Sequence, residues 1–134
     1  VTSVLNILLS NTYFLYPAIF QTMNITEKEA LARLGDMSVE ACAARLVAAR
    51  QTTGLSQLEV SQQADVANNS LNNMERGRQF PNREIMRYFY RAHRIDFNFL
   101  MHGDFAQLPQ NVQADLFEKL ATAGNATGRK SGSD

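Results

Sequence analysis

Between Arg50 and Gly77 the chain is punctuated so closely that only short helices fit. Gly54 suits the left-handed position that closes a helix, and Ser56-Gln-Leu-Glu59 has the spacing of a capping box that opens the next. That helix extends through Ala64. Asp65 then makes the turn, because aspartate tolerates the left-handed conformation better than most side chains. A second helix runs from about Asn68 to Arg76 and stops at Gly77. The result is a pair of short amphipathic helices joined by a tight turn.

The same signals organise the rest of the chain. Thr26-Glu-Lys-Glu29 reads as a capping box for a short leading helix that stops at Gly35. Ser38 caps a longer helix with Ala43, Leu46, Val47 and Arg50 on one side. Pro81-Asn82 breaks the chain before a helix that ends at Ile95-Asp96, and Asp96 caps a short helix holding Phe97, Leu100 and Met101 up to Gly103. After Leu108-Pro109, Val112, Leu116 and Leu120 recur at helical spacing. From Ala121 to Asp134 the abundance of Gly, Ser, Asn and Thr predicts a disordered tail.

At the other end, Val1 to Thr22 has no charged residue. Asn6, the Ser10-Asn11-Thr12 cluster and Pro17 interrupt it too often for a membrane span, which needs ~20 mostly apolar residues. No Lys or Arg precedes Lys28 to begin a secretory signal. The segment reads either as a flank outside the functional domain, with Met23 as the natural start, or as an arm that packs on a partner or on the protein itself.

The helix after the turn carries the most specific chemistry. At about 100° per residue, Asn68, Asn69, Asn72 and Asn73 fall within an arc of about 140°, while Leu71 and Met74 point the other way. One face anchors the helix and the other offers carboxamides. Each has an acceptor and a donor side by side, the pair that bonds N7 and N6 of adenine in the major groove. A solvated face would serve as well with Glu, Lys or Gln, and asparagine is a mediocre helix former, so its repeated use favours recognition.

Formal net charge is zero over the 134 residues, but it is unevenly spread. Arg76 to Arg94 hold six arginines and one acid, Glu84, which puts positive charge beside the asparagine helix. Arg83, Arg87, Arg91 and Arg94 lie within about 80° of one another on their helix, opposite Met86, Phe89 and His93. Such a stripe follows a phosphate backbone, meets an acidic partner or is simply solvated. His93, on the apolar side, reads as a satisfied core histidine.

Catalytic patterns are missing from the sequence. Cys42, His93 and His102 have no nucleophile or metal-ligand spacing, no glycine-rich phosphate loop occurs, and no carboxylate pair sits in an apolar setting. Neither an enzyme nor a cofactor, metal or small-molecule ligand is expected. A lone cysteine makes no internal disulfide, which points to the cytoplasm, and reads as a small buried apolar residue.

Arg45-Leu-Val-Ala-Ala-Arg50, Gly54-Leu-Ser-Gln57, Val66, Leu71, Met74-Glu-Arg-Gly77, Pro81 and Phe99-Leu-Met-His-Gly103 come in an order that resembles the lambda-repressor-like, Cro-type helix-turn-helix regulators, also called the XRE family. Phe99 to Pro109 also looks like a bacterial subgroup of predicted regulators whose fifth helix ends in Gly-Asp followed closely by Leu-Pro. The resemblance implies that Gln57 bonds a DNA phosphate together with its helix N-terminus, and that Asn68, Asn69, Asn72 and Asn73 occupy base-reading positions. It also places Arg78 and Arg83 near DNA, and with Arg76 they are assigned phosphate contact. It further implies a partly buried ion pair between Arg50 and Glu75. The chain departs from the pattern at Ala67, where Ser or Thr usually caps the reading helix, at Asp65 in place of a turn glycine, and at His93 in place of an apolar residue.

The expectation is therefore an all-α protein. Residues 1–22 form an uncharged apolar flank, 23–37 a leading short helix, 38–104 a five-helix lambda-repressor-like DNA-binding domain, 105–120 an accessory amphipathic helix and 121–134 a disordered tail. The implied function is sequence-specific binding of double-stranded DNA by a transcriptional regulator, a repressor acting as a homodimer, with Phe97 to Met101 and Val112 to Leu120 as candidate dimer contacts or, equally, as core faces. The alternative is a protein-interaction adaptor or antitoxin on the same fold.

Overall fold

The computed structural model describes residues 22–130, and these are all-α with no strand among them. The helices are α1 (Ile25–Ala32), α2 (Val39–Thr53), α3 (Gln57–Ala64), α4 (Asn68–Glu75), α5 (Arg83–His93), α6 (Phe97–His102) and α7 (Gln110–Lys130). Apart from Thr22, the apolar flank lies outside the described residues, as do 131–134 of the expected tail.

Local chemistry explains most of the boundaries. Ser38, Ser56, Asn82 and Asp96 each accept a hydrogen bond from a first-turn amide of the helix they open, and Ser56 with Glu59 completes a capping box. Gly54 and Gly103 close α2 and α6 in the left-handed conformation, and Asp65 and Arg94 do the same for α3 and α5 without glycine.

The leading helix starts earlier than the box at Thr26 and Glu29 predicts. Asn24 is its cap, with the reciprocal bond from Glu27, and Arg33 ends it in the left-handed region. Asn24–Glu27 and Thr26–Glu29 have the same spacing, and asparagine is the better cap. The predicted boundary at Ala121 is also absent, since α7 runs on to Lys130. Extending a helix already nucleated against a core adds one bond per residue, Ala121 and Ala123 favour it, and the Thr122 hydroxyl donates to the Glu118 carbonyl at 2.8 Å.

α2 lies at the centre, packed by α4, α6 and α7, while α3 bridges α4 and α5. α7 covers α1 and α2. Val112, Leu116, Phe117 and Leu120 are thereby buried in the single core with Leu46, Ala49, Phe99 and Leu100. Of the two readings of Val112 to Leu120, and of Phe99 and Leu100, core packing holds and the dimer contact is corrected: apolar spacing marks a face that needs covering, and the chain covers it within itself. Among the large hydrophobic side chains of the two segments, Phe97 alone remains half exposed.

The largest fully buried side chain is charged. Arg45, on the inner face of α2, donates from Nε to the Ala32 carbonyl at 2.8 Å and from Nη2 to those of Arg33 and Asp36, both at 2.6 Å. Nη1 donates to Met101 at 3.2 Å and Leu100 at 3.4 Å. Apart from that of Asp36, in the loop after α1, these carbonyls belong to the C-terminal ends of α1 and α6, where helices leave acceptors unpaired and carry partial negative charge. One guanidinium thus caps two helices at once. Gly103 lets it in: a Cβ there would stand 2.6 Å from the Ala32 carbonyl oxygen and 3.1 Å from Arg45 Nη2.

Candidate nucleic-acid interface

α3 and α4 are joined through Asp65, Val66 and Ala67. Asp65 turns the chain at φ 58°, and the Val66 amide donates back to the Ser61 carbonyl at 3.0 Å. Ala67 occupies the cap position of α4 without a side-chain bond, so the first amides of α4 lack a side-chain acceptor there.

Leu71 and Met74 anchor α4 with no exposed surface. On the other side Asn68 and Asn69 are exposed, and Asn72 and Asn73 half-buried. Among the described residues none of these four carboxamides bonds to another group of the chain, and no buried side-chain nitrogen or oxygen lacks a partner. The asparagines therefore keep their donor–acceptor pairs open to solvent.

Behind this face α4 is clamped. Arg50 grips Glu75 with two parallel bonds, Nε to Oε2 at 2.8 Å and Nη2 to Oε1 at 3.0 Å, and donates from Nη1 to the Leu55 carbonyl at 3.1 Å. The Glu75 side chain is only 4% exposed and takes a third bond from Gln57 Nε2 at 3.1 Å. Gln57 is thus committed in part to the ion pair, and one N–H of its amide remains for another acceptor. The guanidinium fork and the glutamine together tie the end of α4 to α2 and to the first turn of α3.

Arg76 is the C-cap of α4, Arg78 follows Gly77, and Arg83 opens α5; all three are exposed. The Arg78 amide donates to the Asn73 carbonyl at 2.9 Å, which folds the basic segment back against the asparagine helix. Asn82, whose amide contacts Met74 Sδ at 3.4 Å, holds the start of α5 near the same place. Arg87, Arg91 and Arg94 continue along α5 away from it.

His93 joins a chain of polar contacts. Its Nε2 lies 2.9 Å from the Tyr88 hydroxyl, which lies 2.7 Å from Gln63 Oε1 and so links α5 to α3. Burial lowers the His93 pKa below its ordinary 6.5. Cys42 is buried, with Sγ 3.8 Å from the Met101 carbonyl, and burial raises its thiol pKa.

Two features escape the sequence patterns. One is the Gln57–Glu75 bond, for which spacing gives no signal. The other is Arg45, whose signal is present but easily overlooked: a cation three residues after Cys42 and four before Ala49 lies on the apolar side of α2.

Among the described residues no helix is long and apolar enough to cross a membrane. No protein-family model, curated protein or solved structure matches the chain.

Proposed function

We propose that this protein is a sequence-specific double-stranded DNA-binding transcriptional regulator, with α2 to α6 as a lambda-repressor-like domain. The observation that carries the reading is α4 itself: four unengaged asparagine carboxamides on one side, two fully buried anchors on the other, and a clamped C-terminal end. α4 enters the major groove and presents Asn68, Asn69, Asn72 and Asn73 to base edges, where a bidentate pairing with adenine discriminates by ~1–3 kcal/mol. The N-terminus of α3, with the remaining N–H of Gln57, takes one phosphate, and Arg76, Arg78 and Arg83 take others. A domain of this size reads few base pairs, so it binds as a homodimer on half-sites about one helical turn, ~34 Å, apart. Repression is the simplest outcome, because an occupied promoter is blocked without further machinery.

Selection of the full chain on a randomised duplex pool, with sequencing of the bound DNA, tests this. The expected result is an inverted repeat that the Asn72→Ala/Asn73→Ala variant no longer enriches, with log affinity falling against log salt by ~0.9 per phosphate contact. Salt-sensitive binding without enrichment, or no binding, sinks the reading and favours the adaptor.

A further inference from the structure

The outer face of α5 is shaped for a partner other than the DNA read by α4. Arg83, Arg87, Arg91 and Arg94 are exposed, and neither salt bridge among the described residues involves them. They span about 16 Å of helix axis. Beside them Met86, expected opposite the stripe but found at its edge, lines with Tyr90 and Phe97 an apolar trough of about 400 Å³, with Arg83 and Arg87 at its rim and Asp96 and Asn98 completing it. Tyr90 is 62% and Phe97 49% exposed. Asp96 is occupied, its Oδ1 accepting from the Phe99 amide at 2.9 Å and from Gln107 Nε2 at 3.1 Å. A second hollow between Tyr90, Arg91, Arg94 and Pro109 continues the surface toward α7.

Scattered exposed hydrophobics are ordinary, but two aromatics lining one trough under a row of cations have the composition of a binding patch. A second copy in symmetric contact would bring the arginines against their own images. A phosphodiester backbone would satisfy the cations but offer nothing apolar to Met86 and Phe97. Its track would also have to leave α4, since the far end of the stripe lies beside Gln107 to Pro109. Carboxylates four residues apart on a helix recur every ~6 Å, the spacing of Arg87 and Arg91, and an adjacent Leu or Phe can enter the trough.

We propose that α5 and the start of α6 form a docking surface for an acidic amphipathic helix, about three turns long, on a protein partner. Arg87, Arg91 and Arg94 grip its carboxylates in forked bonds, Arg83 being left to the phosphate assigned to it above, and Tyr90, Phe97 and Met86 seat its apolar side chain. The surface works whether or not α4 reads DNA.

A displayed library of random peptides, each about 15 residues long, is selected on the full chain and counter-selected on the Arg87→Glu/Arg91→Glu variant. Sequences with Asp or Glu four apart and Leu or Phe between them should be enriched. By fluorescence anisotropy, a labelled peptide of that kind should lose at least about tenfold in affinity with Arg91→Gln and again with Tyr90→Ala, both melting within a few degrees of the parent. Absence of acidic enrichment, or a peptide indifferent to both variants, overturns the proposal. So does an oligonucleotide that displaces the peptide and suffers the same losses, which would assign the surface to nucleic acid. The single variants keep the test decisive if the charge-reversed protein fails to fold.

Discussion

Arg45 and the asparagine side of α4 handle polar chemistry in opposite ways. At Arg45 five backbone carbonyls from two helix ends and a loop converge on one guanidinium, and no donor is left for anything outside the chain. On α4, four carboxamides make no bond within it. A saturated polar group holds a fold together, and an unsaturated one at the surface is available for recognition. The two regions should therefore respond to mutation in opposite ways.

The sharpest break is Arg45→Ala, which strands buried carbonyls at ~1–3 kcal/mol each before relaxation. The expected loss is at least about 4 kcal/mol, enough to leave the chain largely unfolded by circular dichroism. Arg45→Lys should recover little, because three donors on one nitrogen cannot reach two helix ends. Thermal melting close to the parent for either variant would remove Arg45 from its place as the double cap.

Gly103→Ala attacks the same region from outside. A left-handed backbone at φ +80° and a Cβ 2.6 Å from the Ala32 carbonyl should together cost about 3 kcal/mol in urea unfolding. Arg50→Ala follows. It strands a Glu75 carboxylate that is nearly buried, but Gln57 keeps one bond and Arg50 is itself part-exposed, so about 2 kcal/mol is expected, less than the ~3–5 kcal/mol lost from a fully buried pair. A variant as stable as the parent would refute the clamp.

The asparagine helix should behave differently. Ala67→Ser supplies the missing cap and should stabilise the protein by ~1 kcal/mol. Smallest of all, Asn72→Ala/Asn73→Ala should leave melting within about 0.5 kcal/mol of the parent, since alanine is the better helix former and no internal bond is lost. A large destabilisation by that pair would mean the carboxamides are structural after all.

The legible parts of this fold are those decided within one turn of chain. Ser38, Ser56, Asn82 and Asp96 accept bonds from amides three residues on, and Asp65 and Gly54 set their own backbone, so each is readable without knowledge of the fold. Where two local solutions compete, as at Asn24 and Thr26, the pattern alone is ambiguous. α4 is legible for the same reason: helical periodicity places its asparagines opposite Leu71 and Met74 whatever it packs on.

Gln57, Arg45 and α7 were decided at longer range. The partner of Gln57 is eighteen residues away, and the acceptors of Arg45 lie up to fifty-six residues along the chain, distances over which no periodicity carries information. Apolar spacing from Val112 to Leu120 shows that this face must be covered, but a dimer partner and the protein's own α1 and α2 would cover it with the same side chains. Sequence by itself determined an all-α chain, its caps and turns, and the amide-bearing face of one short helix. Only the tertiary structure decided that a buried arginine ends two helices and that the last helix closes the core, because both depend on which orphaned carbonyls and apolar faces the folded chain brings together.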